Sequence, residues 1–211
     1  MKLRSFLAWP EEEEGSGRKQ KIPGEETSIY TCLSISASFP PTFTVSLFQC
    51  HVCCASVGAL LHGKEIHCYA TKCILNRKGS HPREDLMIIN GPIDMYAKCR
   101  STKVARMMFD SIAPEGRDVV TWTVMIGGYA QNGEANDVLE LFSQMLGQES
   151  FLKPNAFTIA CALVACSRLG ALRFGKQIHG HVLCNQYDPM MVFVANCLVD
   201  MYSKSGGIDA A

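Results

Sequence analysis

The feature that most constrains this 211-residue chain is an internal repeat. Residues 54–67 return as residues 166–179, and both copies carry the pattern Cys-x-x-x-Gly-Ala-Leu followed by Gly-Lys-x-Ile-His. A second phrase, residues 93–98, returns as residues 199–204. The two offsets, 112 and 106 residues, are similar but unequal, which indicates one composite unit with a short insertion. Internal repetition on this scale is the signature of a solenoid.

Within the repeated unit, each segment is typical of a pair of short helices. Apolar residues such as Val138, Leu141 and Met145 follow one another at helical spacing, and no window alternates as a strand would. One helix pair cannot bury its apolar faces alone, so neighbouring pairs must stack. The predicted helices in the clearest part of the chain are residues 120–131, 134–146, 157–168 and 172–183.

The composition limits how the chain can bind a partner. It is 47% hydrophobic, yet no apolar run approaches the roughly 20 residues of a membrane span. Lysine plus arginine equals aspartate plus glutamate, at 20 each. This balance excludes a protein that holds nucleic acid mainly by neutralising phosphates, so nucleic-acid binding would have to use local grooves and base contacts.

The front of the chain lacks helical periodicity. Residues 11–17 are charged and contain glycine, and Pro40-Pro41 would break a helix. We therefore predict an irregular or disordered leader at residues 1–52 and a repeat array at residues 53–211. A short apolar patch followed by four glutamates gives no recognisable secretory signal or transit peptide.

Residues 119–133, Val-Val-Thr-Trp-Thr-Val-Met-Ile-Gly-Gly-Tyr-Ala-Gln-Asn-Gly, strongly resemble the pentatricopeptide-repeat (PPR) family. The likeness is to its plant PLS class, which alternates long, short and standard motifs. Residues 175–179 and 93–99 look like the long and short motifs, and the match covers about residues 55–211. The resemblance implies an all-α fold: an α-solenoid of helix-turn-helix repeats wound into a right-handed superhelix, after an irregular N-terminal segment.

The family's register divides the array into five motifs. Two positions depart from its pattern: Pro92 falls inside a predicted helix, and Arg100 stands where a helix-joining glycine is usual. The last motif stops where its second helix should begin, so we expect the natural protein to continue beyond Ala211. The motifs are a degenerate long one at 53–85, a short one at 86–118, a standard one at 119–155, a long one at 156–191 and a truncated short one at 192–211.

Helical-repeat RNA binders present one base to each repeat and read it with two or three side chains. The resemblance implies that the fifth and last residues of each motif do this. In the standard motif these residues are Thr123 and Asn155, a family pairing for adenine. In the short motif they are Asn90 and Asp118, the uracil combination, and Asn196 is the fifth residue of the last motif.

The long motif is expected to show little base selectivity, because its fifth and last residues, Ala160 and Met191, lack the necessary donors. The expected RNA preference, from 5′ to 3′, is then U-A-any-pyrimidine.

Two further rows of residues follow from the same resemblance. The second position of each motif stacks between bases, which assigns Met87, Val120 and Phe193. Lys98 and Lys204 end the first helices of the short motifs and are assigned to phosphate contact. Every assignment has an ordinary alternative: the base-reading residues as helix caps or turn residues, the apolar ones as core, and the lysines as solvated surface.

No motif in the chain predicts catalysis, a cofactor or a metal. The cluster Cys50, His51, Cys53 and Cys54 lacks the second, separated pair of ligands that a structural zinc site needs. Relatives that end in a deaminase-like domain carry His-x-Glu and Pro-Cys-x-x-Cys, and both are missing here. We therefore predict a non-enzymatic chain with no catalytic residues and no small-molecule substrate.

The leading functional hypothesis is a module that binds single-stranded RNA. Family analogy places it in the mitochondrion or chloroplast, in RNA processing or C-to-U editing, with editing or processing proteins as further partners and no membrane. The alternative is a protein-binding helical scaffold. A third class, an RNA-modifying enzyme, would need a catalytic domain beyond Ala211.

Overall fold

The computed structural model describes residues 42–76, 82–147, 152–185 and 192–206, all within one compact unit, Ser36–Ala211. These ranges contain helices and turns but no strand, so the predicted all-α fold is confirmed. The helices are α1 (Thr42–Val57), α2 (Leu60–Asn76), α3 (Pro82–Lys98), α4 (Thr102–Ser111), α5 (Val119–Asn132), α6 (Ala135–Leu146), α7 (Ala156–Leu169), α8 (Leu172–Cys184) and α9 (Val192–Lys204).

The helices form pairs that stack in sequence order. Each odd-numbered helix is the first of its pair and packs against the first helix of the next pair. Each even-numbered helix packs against its own first helix and against the first helix that follows. The first helices thus form one continuous layer, and each second helix packs between successive first helices, which confirms the predicted α-solenoid of helix-turn-helix repeats.

A residue with positive φ follows each first helix, and in the four pairs whose second helix is described it joins the two helices. Four of these residues are glycines, but the joint between α3 and α4 is Arg100, with φ 63°. A non-glycine residue in this left-handed region costs about 1 kcal/mol. Arg100 therefore adopts the backbone conformation that glycine adopts at the other joints, and this lowers the stability of the protein. The glycines are Gly58, Gly133, Gly170 and Gly206.

The predicted boundary of the irregular leader is wrong at its C-terminal end. Residues 42–52 are helical and belong to α1, whereas residues 1–41 lie outside the described part of the chain. The prediction failed because cysteines and a histidine fill core positions where large aliphatic residues are usual. The buried side chains of α1 recur at helical spacing and include Leu47, Cys50, His51 and Cys54.

Helix α3 begins at Pro82, one turn before the start of the short motif at residue 86. Pro92 therefore lies in the interior of the helix, as the sequence predicts, and is buried there. A proline at such a position removes one intrahelical hydrogen bond. Tertiary packing maintains the helix, since the residues that follow it, Ile93, Met95 and Tyr96, are fully buried.

Direct contact explains why the two sequence phrases recur together. Gly63 of α2 faces Met95 of α3 so closely that a Cβ on the glycine would lie 2.5 Å from the methionine Sδ. The same arrangement recurs between Gly175 of α8 and Met201 of α9, at 2.4 Å. The glycine of one phrase therefore accommodates the methionine of the other.

A histidine–tyrosine pair reinforces each of these contacts. The Nδ1 atom of His67 lies 3.2 Å from the hydroxyl of Tyr96, and that of His179 lies 2.9 Å from the hydroxyl of Tyr202. The rings in both pairs meet edge to face. The repeated phrases are thus the two sides of one interface, between the second helix of one repeat and the first helix of the next.

Helices α3 and α5 approach closely at their C-terminal ends. A Cβ on Gly128 would lie 2.5 Å from the Cβ of Ala97. The Nδ2 atom of Asn132 donates to the carbonyl oxygen of Ala97 at 2.7 Å and to that of Gly128 at 2.8 Å. This contact sets the spacing between neighbouring first helices, on which the candidate site depends.

Candidate nucleic-acid interface

The last residues of the short and standard motifs cap the helices that follow them. The Oδ1 atom of Asp118 accepts the backbone N–H of Thr121 at 2.8 Å at the start of α5. The Oδ1 atom of Asn155 accepts the backbone N–H of Thr158 at 2.9 Å at the start of α7. Short polar residues are preferred at N-caps because they satisfy such free donors. Asp118 and Asn155 therefore do cap helices, the ordinary alternative for these positions. Each cap uses only the Oδ1 atom, so the second polar atom of each side chain can make other contacts.

The predicted pair Thr123 and Asn155 meets across the interface between α5 and α7. The Nδ2 atom of Asn155 donates to the Oγ1 atom of Thr123 at 3.0 Å. The same Oγ1 lies 2.6 Å from the carbonyl oxygen of Val119 and 2.9 Å from the Oγ1 atom of Thr158. Asn155 is exposed and Thr123 is half-buried, so the pair forms a small polar surface at the N-terminal end of the two helices.

The corresponding residue of the short motif, Asn90, is placed differently. It is 4% exposed, and its Oδ1 atom has no hydrogen-bond partner among the described residues. Helix α1 packs tightly here, because a Cβ on Gly91 would lie 3.3 Å from Phe48 and 3.4 Å from His51. Asn196 in α9, by contrast, is exposed. Among the predicted fifth-position residues, Thr123 and Asn196 are open to a ligand, whereas Asn90 is covered.

An exposed apolar residue occupies the second position of each motif whose start is described. These side chains are not core, which removes the alternative given for them. The four side chains lie at the same position on four successive first helices. The residues and their exposed fractions are Met87 (41%), Val120 (54%), Phe157 (47%) and Phe193 (59%).

Phe157 is the member of this row that sequence reasoning missed. The long motif was set aside because its fifth and last residues cannot read a base, but its second residue aligns with Val120 in the chain's own repeats. The Phe157 ring lies over α5, where a Cβ on Gly127 would be 3.0 Å from the ring Cε1. Gly127 therefore leaves the space that the ring occupies.

Both lysines predicted to contact phosphate form ion pairs one helical turn back. Lys98 lies 2.7 Å from Asp94, and Lys204 lies 2.8 Å from Asp200. Hydrogen bonds from Lys204 and Ser167 lower the pKa of Asp200. Surface ion pairs of this kind are weak and are screened by salt.

Arg168 occupies the position in α7 that Lys98 and Lys204 occupy in α3 and α9, and sequence reasoning missed it. Its side chain is exposed, and its Nη1 atom donates to the carbonyl oxygen of Ala130 at 3.3 Å. Alignment of the motifs with one another would have identified it. The row of candidate phosphate contacts therefore gains a cation in the long motif.

Two other kinds of site do not occur in the four described ranges. There, no three histidine, cysteine or acidic side chains converge as metal ligands would. Within the same ranges, no helix has the length and apolar character needed to span a bilayer.

Comparison with known proteins identifies the family of the chain. Residues 117–168, which contain both helix caps and the Thr123–Asn155 pair, match the PPR repeat family. A protein of Arabidopsis thaliana, "Pentatricopeptide repeat-containing protein At5g16860", is 60% identical over 158 residues, which cover 74% of this chain and 18% of the relative. The chain belongs to the pentatricopeptide-repeat family.

Two other Arabidopsis PPR relatives carry an organelle in their names. "Pentatricopeptide repeat-containing protein At3g22150, chloroplastic" is 44% identical over 119 residues, covering 56% of this chain and 14% of the relative. "Pentatricopeptide repeat-containing protein At3g53360, mitochondrial" is 34% identical over 158 residues, covering 75% of this chain and 19% of the relative. The chain thus spans less than one fifth of the length of each of these three relatives.

Proposed function

We propose that this PPR chain binds single-stranded RNA with base selectivity, along the N-terminal ends of α3, α5, α7 and α9. The observation that carries the proposal is the Thr123–Asn155 contact of 3.0 Å, which lies in the same layer as the exposed apolar row. Single-stranded RNA offers what this surface requires, namely base edges for hydrogen bonds and base faces for stacking.

The hydrogen bonds already made support the base proposed for each cap. Because the Oδ1 atom of Asn155 is held by Thr158, its amide N–H group is the part left to meet a base, and it requires an acceptor such as adenine N1. The second carboxylate oxygen of Asp118 can only accept, so it suits the imino N–H of uracil. The proposed preference is therefore U followed directly by A, with less selectivity at the motifs that follow.

Stacking and phosphate contacts add affinity without selectivity. Two readable bases and two that are only stacked would contribute on the order of 4–12 kcal/mol before ordering costs are subtracted. Lys98, Arg168 and Lys204 would contact phosphates, but the chain has no net charge, so the total remains modest. We expect micromolar affinity at best for this chain alone.

The PLS class, the organelle and the biological process are part of the same proposal. The alternation of long and short phrases supports the class, and the names of the chloroplastic and mitochondrial relatives support an organelle. We place the whole protein in organellar RNA processing or C-to-U editing, with editing or processing proteins as further partners. The chain itself would bind RNA and perform no chemistry, and any catalyst would be supplied outside residues 1–211.

The second candidate, a protein-binding scaffold, would use the same exposed apolar row to hold a peptide. The neutral amide and hydroxyl of Asn155 and Thr123 favour RNA, because a peptide-binding array more often lines its groove with charged clamps. Both candidates can be examined with one set of ligands.

Titration with short single-stranded RNAs tests the proposal. An RNA containing U-A should bind about tenfold or more tightly than RNAs with both bases changed, because two hydrogen-bonded contacts at about 1 kcal/mol each would be lost. The same sequence annealed into a duplex is the control and should bind weakly. Equal affinity for every single-stranded RNA would remove the base-reading claim, and no binding to any of them would favour the scaffold.

A further inference from the structure

We infer that Thr158, whose counterpart at the start of α5 is Thr121, is a positioning residue for base readout, and that its hydroxyl makes Asn155 a hydrogen-bond donor towards RNA. The inference rests on the proposed function, because it concerns how the same surface obtains its selectivity. Neither threonine would touch RNA itself, since both are fully buried.

Each threonine donates twice to the cap that precedes it. At the start of α5, the backbone N–H and the hydroxyl of Thr121 both lie 2.8 Å from the Oδ1 atom of Asp118. At the start of α7, the backbone N–H and the hydroxyl of Thr158 both lie 2.9 Å from the Oδ1 atom of Asn155. A helix cap needs only the backbone contact, so the hydroxyl is an additional donor to the same oxygen.

Two donors on one oxygen fix the orientation of the Asn155 amide. If the amide rotated by half a turn, the backbone N–H of Thr158 would lose its acceptor inside the protein, and the Thr158 hydroxyl would exchange the amide oxygen for the Oγ1 atom of Thr123, 2.9 Å away. Leaving buried donors unsatisfied is costly. The oxygen is therefore kept against Thr158, and the NH₂ group is directed towards Thr123 and the exposed surface.

The threonine is not required by the fold at this position. In α9 the equivalent position is Val194, and the motif before α9 ends in Met191, which offers no suitable polar group. In α3 it is Ile88, which follows Asp85, the last residue of the degenerate motif. Both aliphatic side chains are buried as the threonines are, so packing alone does not require a hydroxyl at this position.

The two threonines should differ in their effect on selectivity. An amide can either donate or accept, depending on which end faces the RNA, so the hydroxyl of Thr158 determines which bases Asn155 selects. A reversed amide would present its oxygen and would favour guanine, whose N1 carries a hydrogen, over adenine. The carboxylate of Asp118 accepts through either oxygen, so removing the Thr121 hydroxyl cannot reverse its choice.

The experiment compares Thr158→Val with Thr121→Val, each of which removes a hydroxyl but keeps the backbone N–H and the side-chain shape. Affinities are measured for RNAs with U-A and U-G at the read positions. We expect Thr158→Val to reduce the preference for adenine over guanine by about fivefold, the effect of one hydrogen bond. Thr158→Ser should restore the preference, and Thr121→Val should leave it unchanged.

Thr71→Val is the matched control, because the Thr71 hydroxyl donates to the His67 carbonyl oxygen within α2, away from the caps. A Thr158→Val protein that keeps the wild-type preference would overturn the inference. The inference would also be overturned if Thr158→Ser did not restore the preference for adenine over guanine, or if Thr121→Val lost that preference to the same extent.

A measurement without RNA separates this inference from the proposed function. The side-chain amide hydrogens of Asn155 can be followed by NMR, and their exchange with solvent should be faster in Thr158→Val than in the wild type and in Thr158→Ser. Equal exchange in all three proteins would overturn the inference. If the wild-type chain shows no base preference, the proposed function fails, and the amide measurement still decides whether the hydroxyl holds the side chain.

Discussion

Replacing Asn155 by aspartate is expected to change the base preference of the standard motif from adenine to guanine. The Oδ1 atom would keep its contacts with Thr158, and a second carboxylate oxygen would replace the NH₂ group beside Thr123. Adenine has a bare nitrogen at N1, whereas guanine has an N–H there, so a change from donor to acceptor exchanges one purine for the other. A well-formed base contact discriminates by about 1–3 kcal/mol, which corresponds to about five- to 150-fold in affinity.

Affinities of wild-type and Asn155→Asp proteins for U-A and U-G RNAs measure this change. The variant also adds a negative charge, which lowers affinity for any RNA. Asn136→Asp adds the same charge at an exposed position near the start of α6 and corrects for this general effect. If Asn155→Asp weakens both RNAs equally, as Asn136→Asp should, the motif register assigned to Asn155 is wrong.

Lowering the pH from 6.5 to 4 is expected to destabilise the array strongly. Burial lowers the pKa of His51 from 6.5 to about 4, and burial likewise lowers the pKa of His67 to about 4. In this interval the unfolded chain binds protons at both residues, whereas the folded chain does not. Because the unfolded state then carries more protons, the free energy of unfolding falls as the pH falls.

The size of this effect follows from the two shifts. Each histidine contributes a slope of up to about 1.4 kcal/mol per pH unit, hence about 3 kcal/mol over the whole interval. Two histidines together approach the total stability of an ordinary domain, about 5–15 kcal/mol. Denaturant unfolding followed by circular dichroism at pH 7, 6, 5 and 4 measures the slope.

His51→Leu separates one histidine from the other. The equivalent residue in α7 is Leu163, which is fully buried, so the position accepts leucine. The Nε2 atom of His51 is buried without a hydrogen-bond partner in the described part of the structure, whereas Nδ1 lies 2.8 Å from the Leu47 carbonyl oxygen. Removing the first at the cost of the second should stabilise the protein by about 0–2 kcal/mol at pH 7. The slope of the free energy of unfolding against pH should decrease by the contribution of one proton, about 1.4 kcal/mol per pH unit. An unchanged slope would show that His51 titrates normally in the folded chain.

The helices of the array could be predicted from the sequence because their signals are local. Apolar periodicity and the Asn132-Gly133 and Gly170 joints locate α5 to α8 to within two residues of the observed bounds. Helix α1 was not predicted, because its core positions hold Cys50, His51 and Cys54, which are not usual markers of a buried helix face. Their burial depends on packing against α3, and no local pattern reports that.

The candidate site likewise has features that could be predicted from the sequence and features that could not. The contact between Thr123 and Asn155 follows from the motif register, since the last residue of one motif must meet the fifth residue across the interface. The burial of Asn90 does not follow, because it reflects how closely α1 packs on α3. Nor could the role of Thr158 be predicted, because a threonine near a helix start is common and its hydroxyl contact is visible only in three dimensions.

The central claim is that neighbouring repeats hold neighbouring bases, and RNA spacing tests it most directly. An RNA with U and A adjacent should bind the wild-type chain more tightly than the same RNA with one cytosine inserted between them. The RNA with the inserted cytosine should bind only as well as RNAs that match a single base. If the inserted RNA binds as tightly as the adjacent one, the repeats do not read one base each, and the account of the groove is wrong.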